Sequence, residues 1–223
     1  MKPLAIETVK PYLRKHSTTD VNTILVKQAL TQKEIDTCFR VRYEVFAEEL
    51  SCMPKNKRRL EYDKYDQHAI HFLATLGNKP IGTARIIMYD NKNKLPMDSL
   101  YNIAPFKQES LAEVSRTCVL APYRKTKASY LMLKTSWLYG HNNGICHYVT
   151  NANPHDGNHD IMVNPKEGVF IKTLQKIGFT IFDEPKIYPK VKLWGVPMHL
   201  KIADTSPVFK RIFGQADSQI LLD

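Results

Sequence analysis

Hydrophobic and polar positions switch between two periods along the chain. Thr23-Ile24-Leu25-Val26 is a short apolar run and predicts a first strand. Thr31-Gln32-Lys33-Glu34 has the spacing of a capping box. The helix it opens carries Ile35, Cys38, Phe39, Arg42, Val45 and Phe46 on one face and ends near Leu50. Pro54 then blocks continuation, and residues 51–62 read as a mobile, basic loop. Ala69 to Leu76 predicts a strand, Gly77-Asn78 a tight turn, and Pro80 to Met88 the returning strand of a hairpin. An irregular connection around Leu95-Pro96-Met97-Asp98 leads to a strand from Glu113 to Leu120, stopped by Pro122. A helix over Ala128 to His141, a strand over Ile145 to Asn151 and a helix over Pro165 to Ile177 follow, the last closed by Gly178. Phe179 to Phe182 and Val191 to Ile202 complete the strands. Residues 1–20, with a short Leu4–Leu13 helix broken at Pro11, read as peripheral, and 205–223 as a tail with a short helix near Phe209–Phe213. The order predicts one α/β domain over residues 21–204, built on one mixed sheet.

A few residues break these patterns. Arg42 shares the apolar helix face of Phe39 and Phe46. Arg85 sits among apolar neighbours on the returning hairpin strand. Glu113, Ser115 and Arg116 open an otherwise apolar strand. A buried charge requires an opposite partner, and Asp63, Asp66 and Glu113 are the acidic candidates. The strand then runs into Arg124-Lys125-Thr126-Lys127 and a helix starting at Ala128-Ser129. A helix N-terminus with cations beside it suits an anion.

Charge sharpens this picture. The 223 residues include 32 Lys and Arg against 22 Asp and Glu, a formal net charge of +10, which implies an acidic partner. The densest clusters are Lys55, Lys57, Arg58 and Arg59, and Arg124, Lys125 and Lys127. Neither interleaves with aromatics as a single-strand-binding surface does, so nucleic acid is not expected. No run of eighteen apolar residues predicts a membrane span. The start of the chain lacks the apolar core of a signal peptide, and Cys38, Cys52, Cys118 and Cys146 show no paired spacing. Reduced thiols and a cytoplasmic location are the expectation. Pro154 and Gly157 make His155-Asp156-Gly157-Asn158-His159-Asp160 a loop, and no further ligand pair is evident, so no metal is expected. His71, on an apolar strand, reads as a hydrogen-bonded core histidine.

The order of elements resembles the GNAT acyltransferases, with a mixed, mostly antiparallel sheet flanked by helices. Within them the chain is similar to the autoinducer-synthase and N-acyl amino acid synthase branch, which includes exosortase-associated acyltransferases. The matching residues are Arg42-Tyr43-Glu44-Val45-Phe46, Asp63 and Asp66, Gly82-Thr83-Ala84-Arg85, and Glu113-Val114-Ser115-Arg116. The likeness runs from about Val41 to about Gly178. It implies transfer of a fatty acyl group from an acyl-carrier protein to a small-molecule amine, either an amino acid or, in autoinducer synthases, S-adenosylmethionine. The autoinducer pattern places Trp a little after the Arg-x-x-x-Phe motif. Here that region reads Leu50-Ser51-Cys52-Met53-Pro54, which favours an amino acid. The usual GNAT loop carries two glycines that let the backbone approach a pyrophosphate. Arg124-Lys125-Thr126-Lys127-Ala128-Ser129 has neither, which favours a single phosphate, the phosphopantetheine of acyl-carrier protein, over acyl-coenzyme A.

Amide formation from a thioester needs a base for the amine's proton and donors for the tetrahedral oxyanion. The resemblance and the residues together nominate Glu113 as base, with Ser115 and Arg116 beside it as catalytic residues. Arg42, Phe46, Asp63, Asp66 and Arg85 are expected at the acceptor, with Arg85 and Arg116 holding Glu113, Asp63 and Asp66 or a substrate carboxylate. Val119, Leu120, Arg124, Lys125, Lys127, Ala128 and Ser129 are expected at the acyl donor, the amides near Val119 and Leu120 serving the oxyanion. A non-catalytic module of this fold that binds an acidic partner is the competing reading.

Overall fold

A computed structural model describes residues 23–92, 94–124, 126–153, 168–187 and 194–202. The peripheral segment, the C-terminal tail, the loop holding His155 to Asp160, and Lys125 lie outside the described residues. Among the described residues eight strands form the sheet: β1 Ile24–Gln28, β2 Ala69–Leu76, β3 Lys79–Met88, β4 Leu111–Val119, β5 His147–Ala152, β6 Thr180–Ile181, β7 Lys186–Ile187 and β8 Trp194–Lys201. The order is β1-β2-β3-β4-β5-β8-β6, with β7 also on β8. Every pairing is antiparallel except β4 with β5. The mixed, mostly antiparallel sheet of the expectation is therefore present.

Alternation sorts the sheet into two faces. Phe72, Ala84, Ile86, Ala112, Val114 and Tyr148 turn to one side and pack with Met132 and Trp137 of α2 (Ala128–Asn142) and Leu174 of α3 (Val169–Lys176). The other side carries the cross-strand rows His71–Arg85–Ser115 and Ile87–Glu113–Val149. Apolar residues of the segment 95–103, Leu95, Met97, Tyr101 and Ile103, cover Ile87 and Val149 there.

Helix α1 (Gln32–Tyr43) lies on that second face, and its capping box is complete: Thr31 Oγ1 accepts from the Glu34 amide (3.3 Å), and Glu34 Oε2 accepts from the Thr31 amide (3.0 Å). From Glu44 to Glu49 the helix continues as a π-helix. Apolar periodicity does not foretell that change, because Val45 and Phe46 satisfy either winding. Wider turns of this kind are frequent at functional sites.

Two irregularities shape the centre. The β4–β5 ladder covers only Leu111–Glu113 against His147–Val149. Past Glu113, β4 runs on to Val119 and β5 to Ala152 without pairing each other, so the sheet forks. On the β3 side of β4 the register shifts between Arg85↔Ser115 and Thr83↔Cys118. Arg116 and Thr117 oppose the single residue Ala84, a bulge in which Arg116 has φ 54°. Gly82 leaves little room for a side chain: a Cβ there would stand 3.0 Å from the Cys118 carbonyl oxygen and 3.2 Å from the Met132 methyl.

Candidate active site

The three arginines that broke the apolar patterns converge. Arg42, wholly buried, grips Asp66 with both terminal nitrogens at 2.8 and 3.0 Å and donates from Nε to Glu61 at 2.5 Å. Arg85, equally buried, donates from one terminal nitrogen to Asp63 (2.8 Å) and Asp66 (2.9 Å) and from Nε to Ser115 Oγ (3.1 Å). Arg116, lifted out of the strand by the bulge, reaches Glu61 and Asp63, each at 3.1 Å. Its guanidinium also lies 6.0 Å from the Phe46 ring centroid, a cation–π distance that gives Phe46 its place. Asp63 and Asp66 additionally cap the 3₁₀ turn Lys64–His68, so the structural and the electrostatic roles coincide in the same two side chains.

Charge balances inside this cluster, three guanidiniums against Glu61, Asp63 and Asp66. Burial by itself would raise the Asp66 carboxyl, but the hydrogen bonds and charge of Arg42, with Arg85, hold it far below the usual carboxylate range. Burial likewise opposes the Arg42 charge, and Asp66 with Glu61 more than offsets it. His71, 3.8 Å from Asp66, is pushed down by burial. It is a core histidine, as expected, and Asp66 is its polar neighbour.

Glu61 was hidden from sequence reading because it ends a polar stretch without periodicity. The loop reading of 51–62 also needs correction at that end. Glu61 is buried, its amide donates to the Phe39 carbonyl (3.1 Å), and it bridges Arg42 and Arg116.

Glu113 stands at the crotch of the fork, in the last β4–β5 pair, and is 2% exposed. The expectation that Arg85 or Arg116 holds it is not met: those arginines make their hydrogen bonds and ion pairs to Glu61, Asp63, Asp66 and Ser115. Its oxygen instead accepts the Met97 amide at 2.9 Å. Burial pushes the carboxyl up to about 7, against the pull of the Met97 amide and of the Arg85 and Arg116 charges. A carboxyl near neutrality is suited to exchange a proton at physiological pH. Arg85 keeps one buried nitrogen, Nη2, without a partner, one row from Glu113 on the same face.

The donor residues line the end of β4 and the start of α2. The Leu120 amide donates to the Ile81 carbonyl (2.9 Å), so it is not free for an oxyanion. Strand alternation turns the Val119 amide the other way, to the open side of the fork. Arg124 donates to the Val119 carbonyl (3.1 Å) and to Glu49 (2.7 Å), so it is not a free phosphate ligand either. Lys127 occupies the N-cap of α2 without a side-chain cap. Ala128 is buried, its amide on Thr126 Oγ1 (3.2 Å), and Ser129 is half-buried beside it. Glu44, Glu48 and Glu49 of the π-helical turn, with Lys79, Leu120 and Tyr123, border an open cleft of about 500 Å³ next to this loop. Among the described residues no cluster of His, Cys, Asp or Glu is arranged to hold a metal, and no helix is long and apolar enough to cross a membrane.

Comparison with known proteins fits this geometry. Residues 41–134 match the family described as the acetyltransferase (GNAT) domain. The chain is 25% identical over 138 residues to L-ornithine N(alpha)-acyltransferase of Agrobacterium fabrum, 53% of this chain and 46% of that one. The homologue in Rhizobium meliloti, under the same name, is 24% identical over 166 residues, 63% of this chain and 55% of that one. The chain thus spans about half the length of these curated relatives. Among solved structures, FeeM, an N-acyl amino acid synthase from uncultured soil microbes, superposes with TM-score 0.58 at 20% identity, over 82% of this chain and 92% of its own. BjaI, a coenzyme A-dependent acyl-homoserine lactone synthase, gives 0.66 at 16% identity, over 90% and 94%. Both likenesses are likenesses of fold. Residues 41–134, which hold the ion cluster and Glu113, are thus similar to the acetyltransferase (GNAT) domain, and the fold over most of the chain is shared with these synthases.

Proposed function

We propose that this chain is an N-acyltransferase that moves a fatty acyl group from a thioester to the amine of an amino acid or related small molecule. Glu113 carries the reading: a buried carboxyl at the crotch of the fork, raised to about 7 and positioned by a backbone amide. The donor's pantetheine lies along the open edge of β4, where unpaired backbone groups can bind it. The acceptor's neutral nitrogen attacks the thioester carbon. Glu113, directly or through one water, takes the proton the nitrogen loses. The Val119 amide supports the oxyanion, and the C–S bond breaks as the thiolate leaves and is protonated. The unpartnered Arg85 Nη2 supplies a donor for an acceptor carboxylate beside that carbon. Ser115 and Arg116 act by positioning, through Arg85 and through Glu61 and Asp63.

Acyl-carrier protein is the proposed donor and partner, on the strength of the +10 charge and the loop without glycines. Coenzyme A donors form the second reading, supported by the fold shared with coenzyme A-dependent synthases. The acceptor reading favours an amino acid over S-adenosylmethionine as main substrate, since Leu50 to Pro54 offers no Trp for an adenosyl ring. The test is thiol release from long-chain acyl-carrier protein and from acyl-coenzyme A with a panel of amino acids, followed by mass spectrometry of the product. An N-acyl amino acid is expected. Acyl-homoserine lactone as main product would reassign the acceptor, and absence of thiol release with every pair would leave only the binding-module reading.

A further inference from the structure

The stretch from Lys55 to Asp66 sorts its charges by direction. In sequence it mixes the cations Lys55, Lys57, Arg58, Arg59 and Lys64 with the carboxylates Glu61, Asp63 and Asp66. The carboxylates all turn inward, to Arg42, Arg85 and Arg116. The cations are all exposed. Arg59 is engaged by Glu48 at 2.9 Å. Among the described residues, Lys55, Lys57, Arg58 and Lys64 form no ion pair. A stretch of mixed composition therefore presents a cationic surface, because its negative charge is spent on the buried cluster.

Local bonds give this surface a fixed shape. Asn56 clasps Leu60: its amide nitrogen donates to the Leu60 carbonyl (2.9 Å) and its oxygen accepts the Leu60 amide (3.4 Å). The Arg59 amide returns to the Asn56 carbonyl (3.1 Å), and Arg59 takes a left-handed φ of 54° to close the turn. Its guanidinium lies 5.9 Å from the Tyr43 ring centroid. Tyr62 then stands 52% exposed, with its ring 5.6 Å from that of Phe39. Next to it the ion cluster meets solvent: the Asp63 and Arg116 side chains are 27% and 22% exposed, while Arg42 and Arg85 are closed off. An exposed tyrosine beside unpaired cations suits the headgroup layer of a bilayer, where the ring lies among apolar groups and the hydroxyl stays wet. One ring is too few for a single-stranded nucleic acid, which stacks on a series of them.

We infer that this surface docks the protein on an anionic lipid bilayer, with Lys55, Lys57, Arg58 and Lys64 among the headgroups and Tyr62 at the interface. The choice of a bilayer rests on the acyl-transfer reading above: a fatty chain joined to a carboxylate-bearing amine is an amphiphile that belongs at a lipid–water boundary. Docking by this face sets the open corner of the ion cluster against that boundary, so the product leaves toward lipid. The acyl donor is left to the other cationic end, at the N-cap residue Lys127 of α2.

The experiment sediments the whole chain with vesicles of phosphatidylcholine, alone or with about a third phosphatidylglycerol, at low and moderate salt. Binding to the anionic vesicles is expected to be about tenfold tighter or more, the effect of a few unpaired cations at a charged surface. It should weaken as salt rises. Lys57→Glu with Arg58→Glu should remove that preference and leave thiol release from soluble acyl-coenzyme A unchanged. Tyr62→Ser should weaken binding at both salts, because the contribution of the ring is not screened. Lys127→Glu, at the donor end, should change vesicle binding far less than the Lys57–Arg58 reversal. Equal binding to both vesicles, or a preference that survives the Lys57–Arg58 reversal, overturns the inference and leaves acyl transfer intact. So does a reversal that raises KM for acyl-carrier protein in a chain that binds no vesicle, which would assign the surface to the carrier. Anionic-vesicle binding by a chain that turns over no acyl thioester would do the reverse, upholding the docking surface and removing the catalytic reading.

Discussion

Glu113 and Val149 are the last residues paired across the parallel seam of the sheet, and beyond them β4 and β5 part. That places a carboxyl at the one point where the backbone opens and where water is scarce. Burial lifts the carboxyl to about 7, so only above that pH is it mostly the base that acyl transfer to an amine needs. We expect Glu113→Gln to fold and to lose about 10²-fold or more in kcat, the scale of a missing general base. We also expect kcat/KM of the native protein, corrected for the fraction of neutral amine, to fall about tenfold per pH unit on the acid side of about 7. A profile flat from pH 5 to 8, or near-native turnover in Glu113→Gln, removes Glu113 from the reaction.

The same burial has a stability consequence of definite sign. The folded protein holds the Glu113 proton more tightly than the unfolded chain, whose pKa is near 4.5. The folded state therefore binds more protons between about 4.5 and 7, and stability is lost as pH rises through that window. Above it, the penalty is roughly 3 kcal/mol. Glu113→Gln keeps an oxygen for the Met97 amide and carries no charge. Its urea midpoint should exceed that of the native protein at pH 8 and approach it at pH 4.5. Lower stability of the variant at pH 8 would mean that the carboxylate is paid for by contacts other than the Met97 amide.

Much of this site is legible in the sequence because charge on an apolar pattern is conspicuous. Arg42 on the Phe39–Phe46 face and Arg85 inside a hairpin strand both demand partners, and Asp63 and Asp66 are the nearest carboxylates outside the regular elements. The parts that stay hidden have no pattern to carry them. Glu61 lies in a polar run, and its burial depends on the Phe39 carbonyl that receives its amide. The donor to Glu113 is the Met97 backbone, which any residue supplies equally. The partner of Arg124 is Glu49, whose direction follows from the π-helical turn. Strand and hairpin limits are read closely where Gly77-Asn78 and Pro122 punctuate the chain. The two-residue strands β6 and β7 are short because β8 alone holds them, and only the first falls where apolar residues predict it.

The ion cluster should behave as a unit. Asp66 is the centre, bound to Arg42 and Arg85 and bonded to the Asp63 amide. Asp66→Asn strands two buried guanidinium groups at once, and we expect a loss of about 3–5 kcal/mol in urea unfolding, the scale for breaking a buried pair on one side. Asp63→Asn, on a more exposed carboxylate, should cost less. In a double-mutant cycle Asp66→Asn with Arg42→Met should be less destabilising than the sum of the two. Additive effects would mean that the two side chains are not coupled.

Arg116 combines two opposing contributions that one pair of variants separates. Its side chain joins Glu61 and Asp63, while its backbone adopts the left-handed conformation that costs a non-glycine residue about 1–2 kcal/mol. Arg116→Ala loses the ion pairs and keeps the strain. Arg116→Gly loses the ion pairs and relieves it. Both should be less stable than the native protein, with the glycine variant the more stable of the two by about 1 kcal/mol. An alanine variant as stable as the glycine one would show that the bulge relaxes once the guanidinium is gone.

The final prediction concerns how the donor is recruited. Arg124 is engaged by Glu49, so Lys127, at the N-cap of α2, is the described cation left to attract an acidic carrier there, and Lys125 stands two residues before it in the sequence. Attraction between exposed charges chiefly raises the association rate and fades as salt rises. Reversing both lysines to Glu should raise KM for acyl-carrier protein about tenfold or more at low salt. The change in KM for the amine should stay within about twofold. Moderate salt should shrink the difference between variant and native protein, because native binding weakens toward the variant's. With acyl-coenzyme A as donor, which presents no acidic protein surface, the same reversal should act far less strongly. If both donors are used with equal efficiency, and neither salt nor the reversals change it, the positive surface serves a partner other than the acyl donor.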